Sequence, residues 1–356
     1  MTTLVTGATG FLGRHLVDQL LARGEHVRAL TRSFDLELAD LGVEIVEGDF
    51  TDPEALERAV DGVSHVYHLA GKVERDPSHA HRMYSLHVDG TRHLLAALRT
   101  QKLEKIVVAS TSGTVGVGTS PNFMATDDSP TVELLVKSWP YYLSKIYAER
   151  VCQDAIDDHA MPIVMMRPTL LLGPGDRRES STGDVVLFMQ KKIPSSMSGG
   201  ISFVDARDTA QAFILAMDKA PVGAKYLLGA CNLTLADFFK RLEELSGVKA
   251  PWLPIPDRAA LFGTKLLDAA FRSVGKRPDL DPVSVDMARH FWYIDSTRAQ
   301  DELGWTPRNA NETLRDTVRW IERHHPEFAP RNVRKLPPAG FVPQETLDYA
   351  AKNRAE

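Results

Sequence analysis

The sequence predicts an α/β protein built on a doubly wound parallel sheet, with a smaller and mostly helical C-terminal lobe. In the first half of the chain, short runs rich in Val, Ile and Leu alternate with amphipathic helical segments. This alternation is typical of a parallel sheet with helices on both faces, because right-handed crossovers carry each helix back over the sheet. Six strands are predicted, at residues 4–6, 26–31, 43–48, 65–70, 105–110 and 162–167.

The rest of the chain is expected to form a second lobe that is interleaved with the first. Turn-rich sequence follows the sixth predicted strand, and helices dominate the last third of the chain. We expect residues 1–172 and 201–232 to form the sheet-bearing domain, and residues 173–200 and 233–329 to form the smaller lobe. Residues 330–356 show little periodicity, and we expect an extended arm or a partly disordered tail there.

The composition excludes several classes of protein. The 356 residues include 42 Lys and Arg against 47 Asp and Glu, a net charge of −5, so the basic excess needed to bind nucleic acid is missing. No stretch reaches the ~18 apolar residues of a membrane span, and the first residues lack the pattern of a secretory signal. Cys152 and Cys231 have neither a zinc-site nor a disulfide spacing. We therefore expect a cytoplasmic protein without a metal site.

A glycine-rich turn follows the first predicted strand and opens the first predicted helix. Gly7, Gly10 and Gly13 are spaced three residues apart in the run TGATGFLG. In such a unit the first glycine permits a tight turn, the second lets the backbone approach a pyrophosphate, and the third allows close packing of helix and sheet. The helix N-terminus adds free N–H groups and a partial positive charge. The pattern predicts a Rossmann domain that binds a dinucleotide; a turn that binds nothing is the weaker alternative.

The end of the second predicted strand indicates which dinucleotide is bound. NAD-specific sites place an acidic residue there, which binds the adenosine ribose hydroxyls. This chain has Thr31 and Arg32 instead, and a guanidinium can bind a 2′-phosphate in a bidentate manner. We therefore expect NADP rather than NAD, the alternative being that Arg32 is a solvated loop charge. Asp49 is expected to contact the adenine amino group, because Asp52 is better placed to cap the following helix.

A tyrosine and a lysine four residues apart form the candidate proton-transfer pair. Tyr141 and Lys145 lie on one face of a predicted helix that follows the fifth strand. A free phenol has a pKa of about 10 and exchanges protons poorly at neutral pH, but a nearby ammonium group and an oxidised nicotinamide stabilise the phenolate. Tyr142 has no lysine at the fourth following position, which favours Tyr141.

Three hydroxyl groups at the end of the fifth predicted strand are candidates to bind the substrate oxygen. Ser110, Thr111 and Ser112 would face the crevice where ligands bind in open α/β sheets. Hydroxyls at a strand end more often satisfy backbone groups, and the residues alone leave the choice among the three open.

Taken in order, these motifs resemble those of the extended short-chain dehydrogenases/reductases, in the branch of the dihydroflavonol reductases, 3β-hydroxysteroid dehydrogenases and NAD-dependent epimerase/dehydratase proteins. The resemblance covers residues 1 to about 320. It rests on TGATGFLG, ALTR, EGD, HLAG, HVDGTRHLL, VVASTSGTVG, YYLSK, RPTLLLGPGD, FVDARDTAQAF and ELGWTP.

The resemblance implies roles for particular residues. Tyr141 would be the catalytic acid/base, Lys145 would bind the nicotinamide ribose and lower the tyrosine pKa, and Thr111 would be the catalytic hydroxyl. A homodimer is also implied. The cofactor would contact Gly7, Thr9, Gly10, Phe11, Leu12, Gly13, Arg32, Asp49, Phe50, Leu69, Ala70, Gly71, Tyr141, Lys145, Pro168 and Thr169.

Two departures from the family pattern affect the interpretation. His87 stands in HVDGT where relatives often have Asn, and we expect it to be structural rather than catalytic. The segment before Phe203 lacks the Arg-Asp pair that nucleotide-sugar epimerases place there, whose arginine commonly holds a phosphate. Arg177 and Arg178 could serve instead, although arginines in turns usually face solvent.

The predicted function is the reduction of a ketone or aldehyde, or the reverse oxidation of an alcohol, by an NADP(H)-dependent enzyme with a tyrosine acid/base. A nucleotide-sugar epimerase or dehydratase with tightly bound NAD is the alternative, and a protein that senses the dinucleotide without turnover is the third hypothesis. Arg32 argues against the epimerase, and the tyrosine–lysine pair argues against the sensor. The apolar segment 258–275 is compatible with a hydrophobic substrate, although a core-facing or dimer-facing helix explains it more simply.

Overall fold

The structure is a computed structural model that describes residues 2–74, 76–251, 256–273, 281–325 and 328. The strands among these residues form two sheets. They are β1 (Thr2–Thr6), β2 (His26–Thr31), β3 (Glu44–Glu47), β4 (Val63–His68), β5 (Lys105–Ala109), β6 (Ile163–Pro168), β7 (Leu170–Leu172), β8 (Gly200–Asp205), β9 (Lys225–Leu228) and β10 (Cys231–Thr234).

The main sheet has seven strands in the order β3-β2-β1-β4-β5-β6-β9, and every neighbouring pair is parallel. The doubly wound parallel sheet predicted from the sequence is confirmed, and the six predicted strands are its first six. The chain order reverses between β1 and β4, where Thr6 lies opposite His68. Connections from these two strands therefore leave in opposite directions and open a crevice at their carboxyl ends.

Helices flank the main sheet and form most of the C-terminal part, as predicted. A π-helical turn (Ser85–Asp89) joins α4 to α5. The helices of the described residues are α1 (Phe11–Ala22), α2 (Leu36–Asp40), α3 (Pro53–Val60), α4 (Ala80–Tyr84), α5 (Gly90–Leu98), α6 (Glu133–Val136), α7 (Pro140–His159), α8 (Gly183–Met189), α9 (Ala206–Lys219), α10 (Leu235–Ser246), α11 (Asp257–Ser273), α12 (Pro282–Met287), α13 (Thr297–Leu303) and α14 (Ala310–His324).

Two apolar layers bury the faces of the main sheet. On one face, α1 and α9 pack together, and Leu16 and Leu20 of α1 are fully buried. On the other face, α3, α5 and α7 pack together, and Leu94 and Leu98 of α5 are fully buried. Fully burying a side chain of this size contributes ~1.5–3 kcal/mol, so these apolar stripes hold the helices against the sheet.

A second sheet of three strands, in the order β10-β8-β7, lies in the C-terminal half. β8 pairs antiparallel with β10 and parallel with β7. Helices α8, α10 and α14 pack on it around Phe188, Phe203 and Phe238. The sequence does not predict this sheet, because β7 and β10 have only three and four residues and are too short to reveal their partners by periodicity.

Parts of the C-terminal region fall outside the description. Most of the segment PWLPIP and all of the expected tail, residues 330–356, lie outside the described residues. The division into two domains stays a prediction. Within the described part of the chain, no helix is both long and apolar enough to span a membrane.

Candidate active site

The carboxyl ends of β1, β4, β5 and β6 open into one cleft of about 2200 Å³. A drug-sized ligand occupies a pocket of ~300–1,000 Å³, so this cleft has room for a dinucleotide and a substrate together. Every site residue named from the sequence lines it, from the glycine turn to the end of β6. The structure therefore brings the predicted cofactor-binding and catalytic residues to one place.

The glycine turn allows two close approaches that a side chain would prevent. Gly7 has a φ of +75°, and a Cβ there would lie 2.8 Å from the backbone nitrogen of Ala70 and from the carbonyl carbon of Leu69. A Cβ on Gly13 would lie 2.1 Å from the Gly7 carbonyl oxygen. Gly7 thus lets the β1 turn touch the segment after β4, and Gly13 lets α1 pack onto that turn.

The start of α1 fits the pyrophosphate of a dinucleotide. No side chain caps this end of the helix, and its first turn contains no acidic residue. Gly10, Phe11 and Leu12 line the cleft here. Free N–H groups and the helix dipole favour an anion at such a position.

Replacing Gly13 with Ala is expected to weaken dinucleotide binding and destabilise the fold. The new methyl group would lie 2.1 Å from the Gly7 carbonyl oxygen, so α1 would have to move, and overpacking of this kind costs ~1–3 kcal/mol. Fluorescence titration with NADPH and thermal unfolding would measure the two effects. Gly263→Ala on α11 is the control, because a Cβ there meets no atom within 4 Å. Equal losses in both variants would contradict the role given to Gly13.

The expected adenosine end of the cleft carries a cation and an orphaned hydroxyl. Arg32 is exposed and, among the residues that the structure describes, forms no hydrogen bond or ion pair. The adjacent Thr31 hydroxyl is buried without a hydrogen-bond partner in that same part of the chain. Asp52 caps α3, as expected, and Asp49 lines the cleft. These groups fit the polar adenosine part of a dinucleotide.

Acidic side chains near Arg32 already have basic partners. Arg14 of α1 binds Asp35 at 2.7 Å, and Arg177 binds Glu37 at 2.8 Å. The Arg177–Glu37 pair is largely exposed, and surface pairs of this kind contribute only ~0–1 kcal/mol. These pairs matter for the local charge. Because Asp35 and Glu37 are each paired with an arginine, they do not leave an unbalanced negative charge beside Arg32.

Tyr141 lies in the first turn of α7, and its hydroxyl interacts with the side chain of Thr111, which also lines the cleft. Pro140 at the start of α7 is suited to the first helical position, because it needs no N–H partner there. Burial raises the pKa of Tyr141 to about 12, even though the hydrogen bond with Thr111 lowers it in part. A phenol with this pKa keeps its proton at neutral pH, and that proton is available to a carbonyl oxygen.

Lys145 lies one turn further along the same face of α7. Its Nζ donates a hydrogen bond to the Ala109 carbonyl at 2.9 Å, and burial lowers its pKa to about 8. A Cβ on Gly71 would lie 3.5 Å from this nitrogen, so the amine lies between the ends of β4 and β5. The pKa of Tyr141 responds here to burial and Thr111 but not to Lys145. The tuning expected from the lysine stays a prediction for the cofactor-bound protein.

The three candidate hydroxyls are in different surroundings. Ser110 donates to the buried carboxylate of Glu149, which also accepts from Arg167 at 2.9 and 2.6 Å. Burial raises the pKa of Glu149, but the bonds from Arg167 and the neighbouring hydroxyls outweigh it, so that the pKa is lowered overall. Thr111 is the hydroxyl that contacts Tyr141, and Ser112 begins a short 3₁₀ turn.

His87, for which the sequence predicts a structural rather than a catalytic role, lies against Tyr141. The imidazole is 1% exposed, and its ring centroid lies 5.7 Å from that of Tyr141 with the planes 77° apart. Its Nδ1 is 2.8 Å from the Ser144 hydroxyl oxygen. The histidine therefore packs against the first turn of α7 without lining the cleft itself.

An aromatic wall, formed by Trp139, Tyr142 and Trp292, lines the cleft beside Tyr141. The two indole rings are stacked at 5.6 Å, and Tyr142 lies 5.0 Å from Trp292. Sequence reasoning missed both tryptophans. Trp139 lies two residues before Tyr141 and could have been noticed, whereas Trp292 has no local signal. The apolar lining continues through Ile193, Met197, Phe238, Phe239, Val283 and Met287.

Comparisons with known proteins agree with this architecture. The model of the NAD dependent epimerase/dehydratase family matches residues 3–229. Sterol demethylase protein B of Methylococcus capsulatus is 33% identical over 327 residues, 90% of this chain and 98% of that protein. A putative dihydroflavonol 4-reductase of Synechocystis is 29% identical over 328 residues, 90% of this chain and 94% of that protein. The crystal structure of gox2253 matches with a TM-score of 0.78 at 29% identity, covering 91% of this chain and 98% of that one.

These similarities extend well beyond the glycine turn. The family match runs from β1 to the end of β9, and the two relatives align over nine-tenths of the chain. The resemblance inferred from the sequence motifs is thereby confirmed. The chain belongs to the NAD dependent epimerase/dehydratase family, within the extended short-chain dehydrogenases/reductases, and is an NAD(P)-dependent enzyme of the kind that acts on alcohol or carbonyl groups.

Proposed function

We propose that the protein is an NADP(H)-dependent carbonyl reductase, which reduces a ketone or aldehyde and reversibly oxidises the corresponding alcohol. The observation that carries this proposal is the placement of Tyr141, Thr111 and Lys145 together in a cleft that fits a dinucleotide, with the Thr111 side chain interacting with the Tyr141 hydroxyl. When bound, the nicotinamide cofactor supplies the hydride.

The protein's own groups handle the substrate oxygen and its proton. Thr111 binds the carbonyl oxygen, and Tyr141 donates the phenolic proton to it, which leaves a phenolate. Lys145 holds the nicotinamide ribose, and its positive charge stabilises that phenolate. In the reverse direction the phenolate takes the proton from the alcohol.

The preference for NADP is supported by Arg32 and by the charges around it. Arg32 follows the second strand at the position where NAD-specific proteins have a carboxylate, and no partner within the described part of the chain competes for it. Asp35 and Glu37 are paired with Arg14 and Arg177. A 2′-phosphate would therefore meet an available guanidinium, and the carboxylates of Asp35 and Glu37 are already paired with arginines.

Replacing Arg32 with Asp is expected to change the coenzyme preference towards NADH. A hydrogen bond to a charged group contributes ~1.5–3 kcal/mol, so the ratio of kcat/KM for NADPH to that for NADH should fall by roughly 10- to 150-fold. Steady-state kinetics with both coenzymes would measure the ratio. Arg178→Ala is the control, because Arg178 is another exposed arginine that lines the cleft. An unchanged ratio in Arg32→Asp would remove the argument for NADP.

The aromatic wall and the apolar lining favour a hydrophobic carbonyl compound as the substrate. Lys72, which also lines the cleft, is paired with Glu74 at 3.3 Å. A neutral, apolar molecule would bury its surface here without leaving a charge unpaired. The names of the two relatives, which refer to a sterol and to a dihydroflavonol, are in keeping with such a substrate.

The behaviour of the purified protein separates this function from that of an epimerase. An epimerase oxidises and re-reduces its substrate with one bound NAD, whereas a reductase must exchange its coenzyme in every cycle. We expect the dinucleotide to be lost on gel filtration and NADPH to be oxidised with members of a ketone and aldehyde panel. Retained NAD, together with no NADPH oxidation on that panel, would overturn the proposal.

A further inference from the structure

We propose that His87 is a positioning residue that fixes Tyr141 relative to the cofactor wall formed by Gly71 and Lys72, and that it does so as an uncharged imidazole. The inference rests on the proposed role of Tyr141 as the proton donor. It goes beyond that role because His87 neither lines the cleft nor can touch the substrate.

The direction of three hydrogen bonds defines the state of the imidazole. The backbone N–H of Lys72 donates to His87 Nε2 at 3.1 Å, so this nitrogen is an acceptor. The proton of the neutral ring is then on Nδ1, which donates to the Ser144 hydroxyl at 2.8 Å. Ser144 in turn donates to the Tyr141 carbonyl at 2.7 Å. A continuous chain of bonds thus joins the segment after β4 to the first turn of α7.

The ring also makes direct contact with the tyrosine. Its edge packs against the Tyr141 ring at a centroid distance of 5.7 Å, in a T-shaped arrangement. A Cβ on Gly71 would lie 3.2 Å from His87 Nε2 and 3.5 Å from Lys145 Nζ. The imidazole therefore fills the space between the cofactor wall and the two residues of the proton-transfer pair.

The surroundings of His87 keep it neutral. The titratable groups that face it are Lys145 and Tyr141 on α7 and His68 at the end of β4. Burial, the Lys145 charge and His68 hold the pKa of His87 well below its usual range. A proton on Nε2 would point at the Lys72 N–H and break the chain of bonds, so a neutral side chain with one donor and one acceptor is what this position requires.

Three substitutions distinguish the two hydrogen bonds of the imidazole, one with the Lys72 N–H and one with the Ser144 hydroxyl. His87→Ala removes both bonds. His87→Gln places an amide oxygen near Nε2, within reach of the Lys72 N–H, and loses the bond to Ser144. Ser144→Ala interrupts the link to the Tyr141 carbonyl and leaves His87 in place.

The first readout is the environment of Tyr141, which is monitored by fluorine NMR on protein labelled with fluorotyrosine. The Tyr141 resonance is assigned by its absence from the spectrum of Tyr141→Phe. We expect the Tyr141 resonance to shift or split in His87→Ala and in Ser144→Ala. The double variant should change it no further than His87→Ala alone, because both substitutions break the same chain. This readout needs neither cofactor nor substrate.

The second readout is catalysis. A misplacement of about 1 Å can cost ~100-fold in rate, so we expect His87→Ala to lower kcat by roughly 10- to 100-fold, with a smaller loss in His87→Gln. NADPH binding should change by less than about threefold, because Lys145 keeps its bond to Ala109. The control is Leu98→Ala, which opens a cavity in the fully buried core of the neighbouring α5. It should lower the Tm without changing the Tyr141 resonance or kcat.

The outcomes are distinguishable. An unchanged Tyr141 resonance in both His87→Gln and Ser144→Ala would overturn the inference, even if His87→Ala does not fold. Equal changes of the Tyr141 resonance and of kcat in Leu98→Ala would also overturn it, because these changes would then result from lower stability alone. If the wild-type protein reduces no carbonyl compound, the proposed function fails, while the fluorine signal still decides whether His87 positions Tyr141.

Discussion

Tyr141→Phe is expected to lower kcat/KM for carbonyl reduction by about 10²- to 10⁴-fold, the usual contribution of a general acid. The substitution removes the hydroxyl that interacts with Thr111 and keeps the ring that packs against His87. Binding of NADPH should be retained within about threefold, because the glycine turn and Lys145 are untouched. Steady-state kinetics and a fluorescence titration would measure the two quantities separately.

Tyr147→Phe provides a matched control for that variant. Tyr147 lies on the same helix, and its hydroxyl donates to Glu133 at 2.9 Å away from the cleft. We expect its kcat/KM to equal that of the wild-type protein. If Tyr141→Phe turned over as fast as this control, the phenol could not be the proton donor.

Glu149→Gln is expected to lower the free energy of unfolding by ~3–5 kcal/mol, because it leaves the Arg167 guanidinium buried without a counter-charge. The two side chains are 7% and 4% exposed, and their ion-pair distance is 2.6 Å. The substitution should also disturb Ser110, which directly precedes Thr111 in the chain and donates a hydrogen bond to the Glu149 carboxylate. Urea unfolding at neutral pH would measure the change in stability.

Glu133→Gln is the control, because Glu133 of α6 binds Arg150 of α7 near the surface, where a pair contributes only ~0–1 kcal/mol. Acidification gives a second check. The folded pKa of Glu149 is lowered, so its contribution is fully present above the ordinary value of about 4.3 and is lost as the pH falls through the folded pKa. The difference in the free energy of unfolding between the wild-type protein and Glu149→Gln should therefore become smaller below that pH. Equal losses in the two variants at neutral pH would show that the buried pair does not stabilise the fold.

Local spacing explains most of what the sequence predicted. Gly7, Gly10 and Gly13 owe their arrangement to one strand–turn–helix unit, and Tyr141 and Lys145 to one helical turn. Features of this kind depend on neighbours a few residues away, so the pattern of residues is sufficient to indicate them.

Contacts between distant segments could not be predicted in the same way. Trp292 reaches the cleft from a segment far along the chain, and Arg177 meets Glu37 across 140 positions. Glu149 shows an intermediate case, because a carboxylate on the apolar face of α7 is a visible irregularity, but its partner Arg167 is on β6. Such pairings follow from the register of helices against the sheet, which spacing in one segment does not encode.

The choice among the three hydroxyls illustrates the same limit. Ser110, Thr111 and Ser112 are equivalent in sequence, and the resemblance to the family was needed to favour Thr111. In the structure they differ because Glu149 binds Ser110 and Tyr141 contacts Thr111. The role of Thr111 in binding the substrate oxygen stays a proposal.

The central claim is that this cleft transfers a hydride from NADPH to a carbonyl carbon while Tyr141 protonates the oxygen. Its most direct test follows NADPH consumption and product formation together, with wild-type protein and a panel of hydrophobic ketones and aldehydes. We predict one alcohol formed for each NADPH oxidised, and neither product nor oxidation in Tyr141→Phe beyond its residual rate. A substrate converted with no net change in the coenzyme, or no conversion of any carbonyl compound, would contradict the account.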